Sequence, residues 1–396
     1  RGDLSHTLLM VASPPDASPS IHVRGAGPTG SLLALALAHQ GQSVLLEDPL
    51  TAPELQSRSR AYAITHSSRR LLQRLDLWTS LGDALVPFTR LDLRDAGSGG
   101  RVLFGQQDLR RRNRRHQAIG WILDHRPLMR LLLARLEQSP HVTLGLGRDQ
   151  DQMTREPAAF VVAADGPSSP TRQSWGIDVV QHRYRQGCLT AKVVLRGVEP
   201  GGAYELFRPE GPLAVLPMAD GSYQVVWSAP MQHCLDRADL ADGAFLDALA
   251  TVLPEGVEPD LLLDRPAAFP QTWMLARSLR HGPAVLVGEA GHRCHPVGGQ
   301  GLNLCWRDVE TLTDLVASQG IGPRTAARYS RRRWPDLLMV GLATDALVRL
   351  FSNRHPLLVA FRQLLLPCLA LSSPLRRLCL SAMTDGPLRV GRPLPD

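Results

Sequence analysis

"IHVRGAGPTGSLLALALAHQGQSVLLED", residues 21–48, decides how the chain folds. Ile21 to Arg24 has the short apolar run of a buried strand, glycines follow at Gly25, Gly27 and Gly30, and an almost unbroken apolar helix runs on towards Gly41. A second apolar strand ending in Glu47 and Asp48 completes a βαβ start. The glycines match G-x-G-x-x-G between strand and helix. In that motif the first glycine permits a tight turn, the second lets a pyrophosphate approach the backbone, and the third lets helix and strand pack closely, while the helix N-terminus meets the negative charge. An acidic residue about 20 positions on is suited to bond a ribose hydroxyl. Asp48, at the strand end, is the candidate, and Glu47 the alternative.

Outward from this unit the pattern stays α/β. "RPLMRLLLARLEQS" has the period of a helix buried on one face, and "HVTLGLG" and "AAFVVAADG" read as strands. The latter delivers Asp165 and Gly166 to a strand end, where open α/β sheets bind ligands, although Asp-Gly is also an ordinary turn pair. Between Gly187 and Ser228 the pattern changes to alternating strands separated by Gly and Pro, which predicts one antiparallel sheet. "AVLVGEAGHRCHPVGGQGLNLCWRDVETLTDL", residues 284–315, returns to α/β character. Its strand carries Glu289 to an end, and Gly298, Gly299 and Gly301 let main chain press against a flat ligand. Pro296 stiffens the turn, and a helix starting near Gly301 aims its positive end at the same place. Beyond Trp334 the chain reads as leucine-rich helix, and residues 1–19, polar and rich in Ser and Pro, as a disordered N-terminus.

Composition narrows the partners. The formal charge is +7, almost wholly from arginine, which favours phosphates, acidic proteins or a membrane surface; nothing points to nucleic acid. Six scattered cysteines form no C-x-x-C pair, so neither a disulfide framework nor a thiolate zinc site is indicated, and a reducing, cytoplasmic setting fits. His292, Cys294 and His295 crowd four positions, but no second cluster lies at finger-like spacing, so no metal is expected. No segment reaches the roughly 18 consecutive apolar residues of a membrane span. The run Arg110 to Arg115 reads as a solvated loop, with an acidic redox partner or anionic lipid as the other reading. The apolar stretch His355 to Leu380, broken by Arg362 and Pro367, either packs against the nucleotide domain or lies on a membrane surface.

"GAGPTG", "AADGPSSPTR" and "VGEAGHRCHPVGGQGLNL" resemble, in that order, the three FAD motifs of the flavoprotein monooxygenases related to p-hydroxybenzoate hydroxylase. Within that class the chain looks most like the hydroxylases of ubiquinone biosynthesis, whose own signatures are similar to "SRSRAYAITHSSRRLLQRLDLW" and "FRPEGPLAVLPMADGSYQVVW". The resemblance implies an α/β fold: a Rossmann-like FAD-binding domain (20–84, 118–178 and 272–330), an inserted, mainly antiparallel β-sheet substrate domain (85–117 and 179–271), and a C-terminal helical region (331–396). Carried over by motif, Gly25, Gly27 and Gly30 meet the pyrophosphate and Asp48 the ribose. Arg60 and Arg126 contact the cofactor, Asp165 and Gly166 form the D-G motif, and Glu289 reaches the ribityl chain. Pro296, Gly299, Gln300, Gly301 and Asn303 lie along the isoalloxazine.

The chain departs from the family pattern in places. Glu289 replaces the usual Asp, Arg24 a small or apolar residue, and Cys305 a common glycine, and the stretch 147–160 is shorter than the usual β-meander. The implied activity is hydroxylation of a lipophilic phenol or polyprenylated quinone precursor by O2 through a flavin C4a-hydroperoxide, in a closed apolar pocket. His295, a candidate proton relay, and Pro296 are the catalytic candidates. No second glycine unit is present for NAD(P)H, so the reductant binds transiently or is a protein electron donor. A membrane surface or a quinone-biosynthesis complex is the expected setting. The alternatives are a hydroxylase of small soluble phenols and a non-catalytic flavin-binding accessory subunit.

Overall fold

The computed structural model describes residues 20–148 and 158–389. The opening unit folds as strand Ile21–Arg24, helix Pro28–Ala38 and strand Val44–Asp48. These belong to a six-stranded sheet in the spatial order Arg280–His281, Ala284–Leu286, Phe160–Ala163, Ile21–Arg24, Val44–Asp48, Val142–Leu146, parallel throughout except for the first short strand. Parallel pairing puts all the strand ends on one edge. The chain leaving Arg24, Asp48, Ala163 and Leu286 therefore opens on the same side of the molecule. Helix Pro28–Ala38 is apolar on nearly every side and is buried against helices His125–Gln138 and Gly301–Gln319.

The segment Gly187 to Ser228 forms part of a mixed, mostly antiparallel nine-stranded sheet that includes Val179–Arg196, Gly202–Phe207, Leu213–Pro217, Tyr223–Pro230 and Ala267–Ala276. Its far end is built by Arg90–Asp95 and Arg101–Gly105, the former parallel to Gly202–Phe207. Alternation divides its side chains between two interiors. Leu189, Val193, Tyr204 and Leu206 pack beneath helices Met231–Ala238 and Asp242–Ala250, while Ala203 and Phe207 face an apolar interior shared with Val297 and the C-terminal helices.

Three expectations change. Leu85–Phe88 pairs with Gly120–Asp124, which also pairs with Ala61–Ile64, so residues 85–88 join a separate three-stranded sheet and only the chain from Arg90 enters the large one. The boundary at 331 falls inside one continuous helix, Pro323–Phe351, which runs through Pro335 because Tyr329, Leu337 and Val340 repeat at helical spacing into a shared core. The arginine run contains a helical turn, Arg111–Arg114, pinned by buried Asn113, whose Nδ2 donates to Asp385 Oδ2 at 3.0 Å.

The last two helices, Pro356–Leu371 and Ser373–Asp385, meet at 96°. Helix Pro356–Leu371 packs on strand Arg101–Gly105, with buried Arg362 paired to Asp95 at 3.0 Å and Leu366 inside, while Ser373–Asp385 packs on the Gln106–Asp108 turn and on helix His66–Arg74, where Asp385 meets Arg70 at 2.7 Å and Leu380 is buried. Their outer side leaves Leu357, Phe361, Leu364 and Leu371 exposed. No single described helix is long and apolar enough to cross a membrane. Residues 1–19 and most of the stretch 147–160 lie outside the described residues.

Candidate active site

A cleft of about 530 Å³ opens along the carboxyl edge of the parallel sheet. Gly25, Gly27, Asp48, Arg60, Asp165, Gly166, Glu289 and Gly301 line it, so residues from all three sequence motifs converge there. Gly25 has φ +101°, and a Cβ on it would stand 2.4 Å from the Ala164 carbonyl oxygen. Gly30 packs under the loop, where a Cβ would meet the Gly25 carbonyl oxygen at 1.8 Å. Gly27 is different: nothing lies within 4 Å of its missing Cβ. It is the N-cap of helix Pro28–Ala38 and no side chain caps that end, so the first amides face the cleft.

Glu47 and Asp48 part company by strand alternation. Asp48 lines the cleft and accepts from the Ala26 and Leu50 amides at 2.6 and 2.8 Å. Glu47 is buried and meets His22 at 2.8 Å and Arg148 at 3.4 Å. Asp165 accepts from Ser169 Oγ and the Thr171 amide, so it shapes the turn as well as lining the cleft. Arg126 is exposed at the start of its helix and is not among the cleft residues; its main-chain amide donates to Asp124 Oδ1, the N-cap of that helix, at 3.0 Å.

The segment from His295 to Gln300 lies apart from the cleft lining, against strand Ala61–Ile64. Gly299, at φ +62°, passes so close that a Cβ would sit 2.8 Å from Ala63 Cβ. Asn303 holds the two together: its Nδ2 donates to the Ala63 and Gly299 carbonyls at 2.6 and 2.9 Å, and its Oδ1 accepts from the Thr65 amide, Thr65 Oγ1 and Ser68 Oγ. That leaves the side chain fully engaged, and Asn303 acts by positioning main chain. Gln300 donates to Gly298 and Met383 carbonyls and so ties the segment to the last helix. His295 is buried, its Nδ1 accepts from the Val297 amide at 3.2 Å, and its ring meets Tyr184 edge-on at 5.2 Å. Burial lowers its pKa to about 4, so the imidazole is neutral at physiological pH. Pro296 begins the 3₁₀ turn beside it.

Beneath the segment runs a buried charged network. Asp308 accepts from His292 Nε2, Arg333 Nε and the Gly288 amide at 2.7, 2.6 and 2.8 Å, and Asp336 pairs with both Arg333 and Arg307. Burial pushes the Asp308 carboxyl up; His292 and Arg333 together outweigh it and hold it below the usual range. The network joins the Gly288–Ala290 turn, which carries Glu289, to two long helices. His292 is thus a structural partner, and among the described residues no cluster suited to a metal occurs.

The residues present fit a dinucleotide cofactor with a flat ring: an uncapped helix end, glycines open to the cleft at Gly27 and Gly301, an acid at the second strand, and a close-packed glycine segment beyond. Arg58, Tyr62, Thr29 and Cys305 also line the cleft, and motif reading gave them no binding role. A family model described as an FAD binding domain matches residues 20–333. The chain is 32% identical to the ubiquinone hydroxylase UbiL of Rhodospirillum rubrum, over 95% of this chain and 92% of that protein. It is 30% identical to the 3-demethoxyubiquinol 3-hydroxylase of Escherichia coli, over 87% of this chain and 93% of that one. The p-nitrophenol 4-monooxygenase PnpA of Pseudomonas putida shares the fold, with a TM-score of 0.72 at 19% identity, over 95% of this chain and 99% of that one. Motifs, cleft and relatives agree: the chain belongs to the FAD-binding monooxygenases, in the ubiquinone hydroxylase family.

Proposed function

We propose that the protein hydroxylates the aromatic ring of a lipophilic phenol or polyprenylated quinone precursor, using O2. The observation that carries this reading is the second apolar interior. Phe88, Phe104, Ile122, Ala203, Phe207 and Met218 form one buried apolar cluster with Val297 of the glycine segment and with Val348, Phe351, Leu366 and Leu380 of the C-terminal helices. A reactive oxygen donor needs such an enclosure to be kept from water.

Bound and reduced FAD supplies the activation of O2 and the transfer of one oxygen atom. The chain does the rest. Gly25, Gly27 and the helix end hold the pyrophosphate, Asp48 the ribose, Arg60 the anionic part of the cofactor, and Glu289 the ribityl hydroxyls. Pro296 to Gly301 carry the ring on main chain, with Asn303 fixing that segment. His295, neutral and within the wall, keeps its place as candidate relay. NAD(P)H or a protein electron donor supplies electrons.

The exposed outer side of the last two helices is the surface we assign to an anionic bilayer. Leu357, Leu364 and Leu371 are 75, 72 and 86% exposed, with Arg354 and Arg377 exposed among them. Apolar side chains flanked by cations suit shallow burial in a charged headgroup layer. The protein would then work at the cytoplasmic face of a membrane, where a prenylated substrate is found, alone or within a quinone-biosynthesis complex.

Metabolite profiling of a strain lacking the chain tests the reaction. Accumulation of a prenylated precursor one oxygen short of the next compound is expected; accumulation of a small water-soluble phenol would overturn the proposed substrate class.

A further inference from the structure

The strand Gly202–Phe207 places Ala203, Glu205 and Phe207 on one face, and Ala203 and Phe207 belong to the apolar interior that holds Val297. In register, Glu205 stands between Leu93 on one neighbouring strand and Ala214 on the other. A carboxyl group is costly in the middle of such a wall unless it is partnered or used. Among the described residues no lysine or arginine pairs with it. Among the described groups, the main-chain amide of Gly298, in the segment assigned to the flavin ring, is the one that favours its charged form. Burial, opposed only by that amide, raises its pKa from 4.5 to about 7.

The charged groups around this wall are engaged elsewhere. Asp92 and Arg94, on the opposite face of the neighbouring strand, bond each other, and Arg101 also bonds Asp92. His295 accepts from the Val297 amide. Tyr184 donates to Asp345, which also holds Arg349. Glu205 is therefore a titrating carboxyl with no committed cation, standing across from the ring segment.

We propose that Glu205 accepts the hydrogen bond of the substrate's ring hydroxyl and takes its proton as the ring is attacked. The phenol O–H bond breaks and a new O–H bond forms on a carboxylate oxygen of Glu205. The electron pair stays on the phenol oxygen and enriches the ring, and nothing is oxidised or reduced in this step. The proton passes to solvent when product leaves. This rests on the phenol-hydroxylase reading above.

The test titrates the flavin-loaded full chain with para-heptylphenol and with its methyl ether, following the perturbation of flavin absorbance across pH. A hydrogen bond to a charged acceptor gives the phenol an advantage of about 10- to 100-fold above roughly pH 7.5, shrinking below roughly pH 6 as Glu205 takes up a proton. Glu205→Gln keeps a small preference with no pH dependence, Glu205→Asp restores the dependence, and Glu205→Leu abolishes the preference. The Gln and Asp variants preserve shape and carry the test if the Leu variant does not fold. A wild-type preference indifferent to pH, a preference surviving in Glu205→Leu, or binding of neither ligand overturns the proposal. A chain that takes up no flavin would defeat the functional reading instead; a flavin-loaded chain with the wrong pattern defeats Glu205 alone.

Discussion

Glu205 has a consequence that needs no ligand. Burial raises its pKa from 4.5 to about 7, so folding takes up a proton between those values. The penalty on the folded state is absent below about pH 4.5 and complete above about pH 7. Glu205→Gln should therefore melt with the wild type in acid and a few degrees above it at pH 8, measured by calorimetry across pH. Asp308 has the opposite sense, since its pKa is lowered in the folded state. Asp308→Asn removes the carboxylate that His292 and Arg333 share and leaves Asp336 alone between Arg333 and Arg307, which should cost about 3–5 kcal/mol in denaturant unfolding at neutral pH. Much at this scale was legible. Strand alternation separates Asp48 from Glu47, and the three motifs bring together Gly25, Asp165 and Glu289. The same alternation in "GAYELF" puts Glu205 beside two apolar positions, but only the packing of the sheet against the Pro296–Gly301 segment shows what that face meets. The role of Asn303 was not legible in sequence, because four of its five hydrogen bonds tie the glycine segment to Ala63, Thr65 and Ser68, at least 235 positions away along the chain.

Elements with strong periodicity were read from sequence, and those whose fate depends on a partner were not. The helix Pro28–Ala38 and the strands of the parallel sheet carry their own apolar pattern. Leu85–Phe88, by contrast, looks like any short strand, and its assignment turns on hydrogen bonds to Gly120–Asp124. The Arg111–Arg114 turn looks solvated until Asn113 meets Asp385. The closing helices were legible as amphipathic but not as to which side packs, since Arg362 turns inward to Asp95 and leucines turn outward. That inversion makes a prediction for these helices. Sedimentation with vesicles containing anionic phosphatidylglycerol should carry down the wild type, and Leu364→Ser with Leu371→Ser should reduce binding at least about tenfold, given roughly 1.5–3 kcal/mol per buried leucine side chain. Binding of the double variant equal to the wild type would remove the bilayer from this face.

Across the molecule, one topological fact organises the site: parallel pairing brings the ends of four strands to one edge, so motifs separated by more than a hundred residues along the chain share a cleft. The mixed sheet and the last helices then close an apolar interior around the segment beyond it. The most direct measurement is FAD affinity of Gly27→Val beside the wild type, read by fluorescence titration of apoprotein with melting as control. The position has φ −66° and nothing within 4 Å of the added Cβ, so the fold tolerates the change, at about 1 kcal/mol for a poorer N-cap. The new side chain projects into the space assigned to the pyrophosphate. Wild type should bind one FAD per chain, and Gly27→Val should bind at least about a hundredfold more weakly while melting within a few degrees of it. Equal affinity in the two proteins would contradict a cofactor seated on this glycine loop.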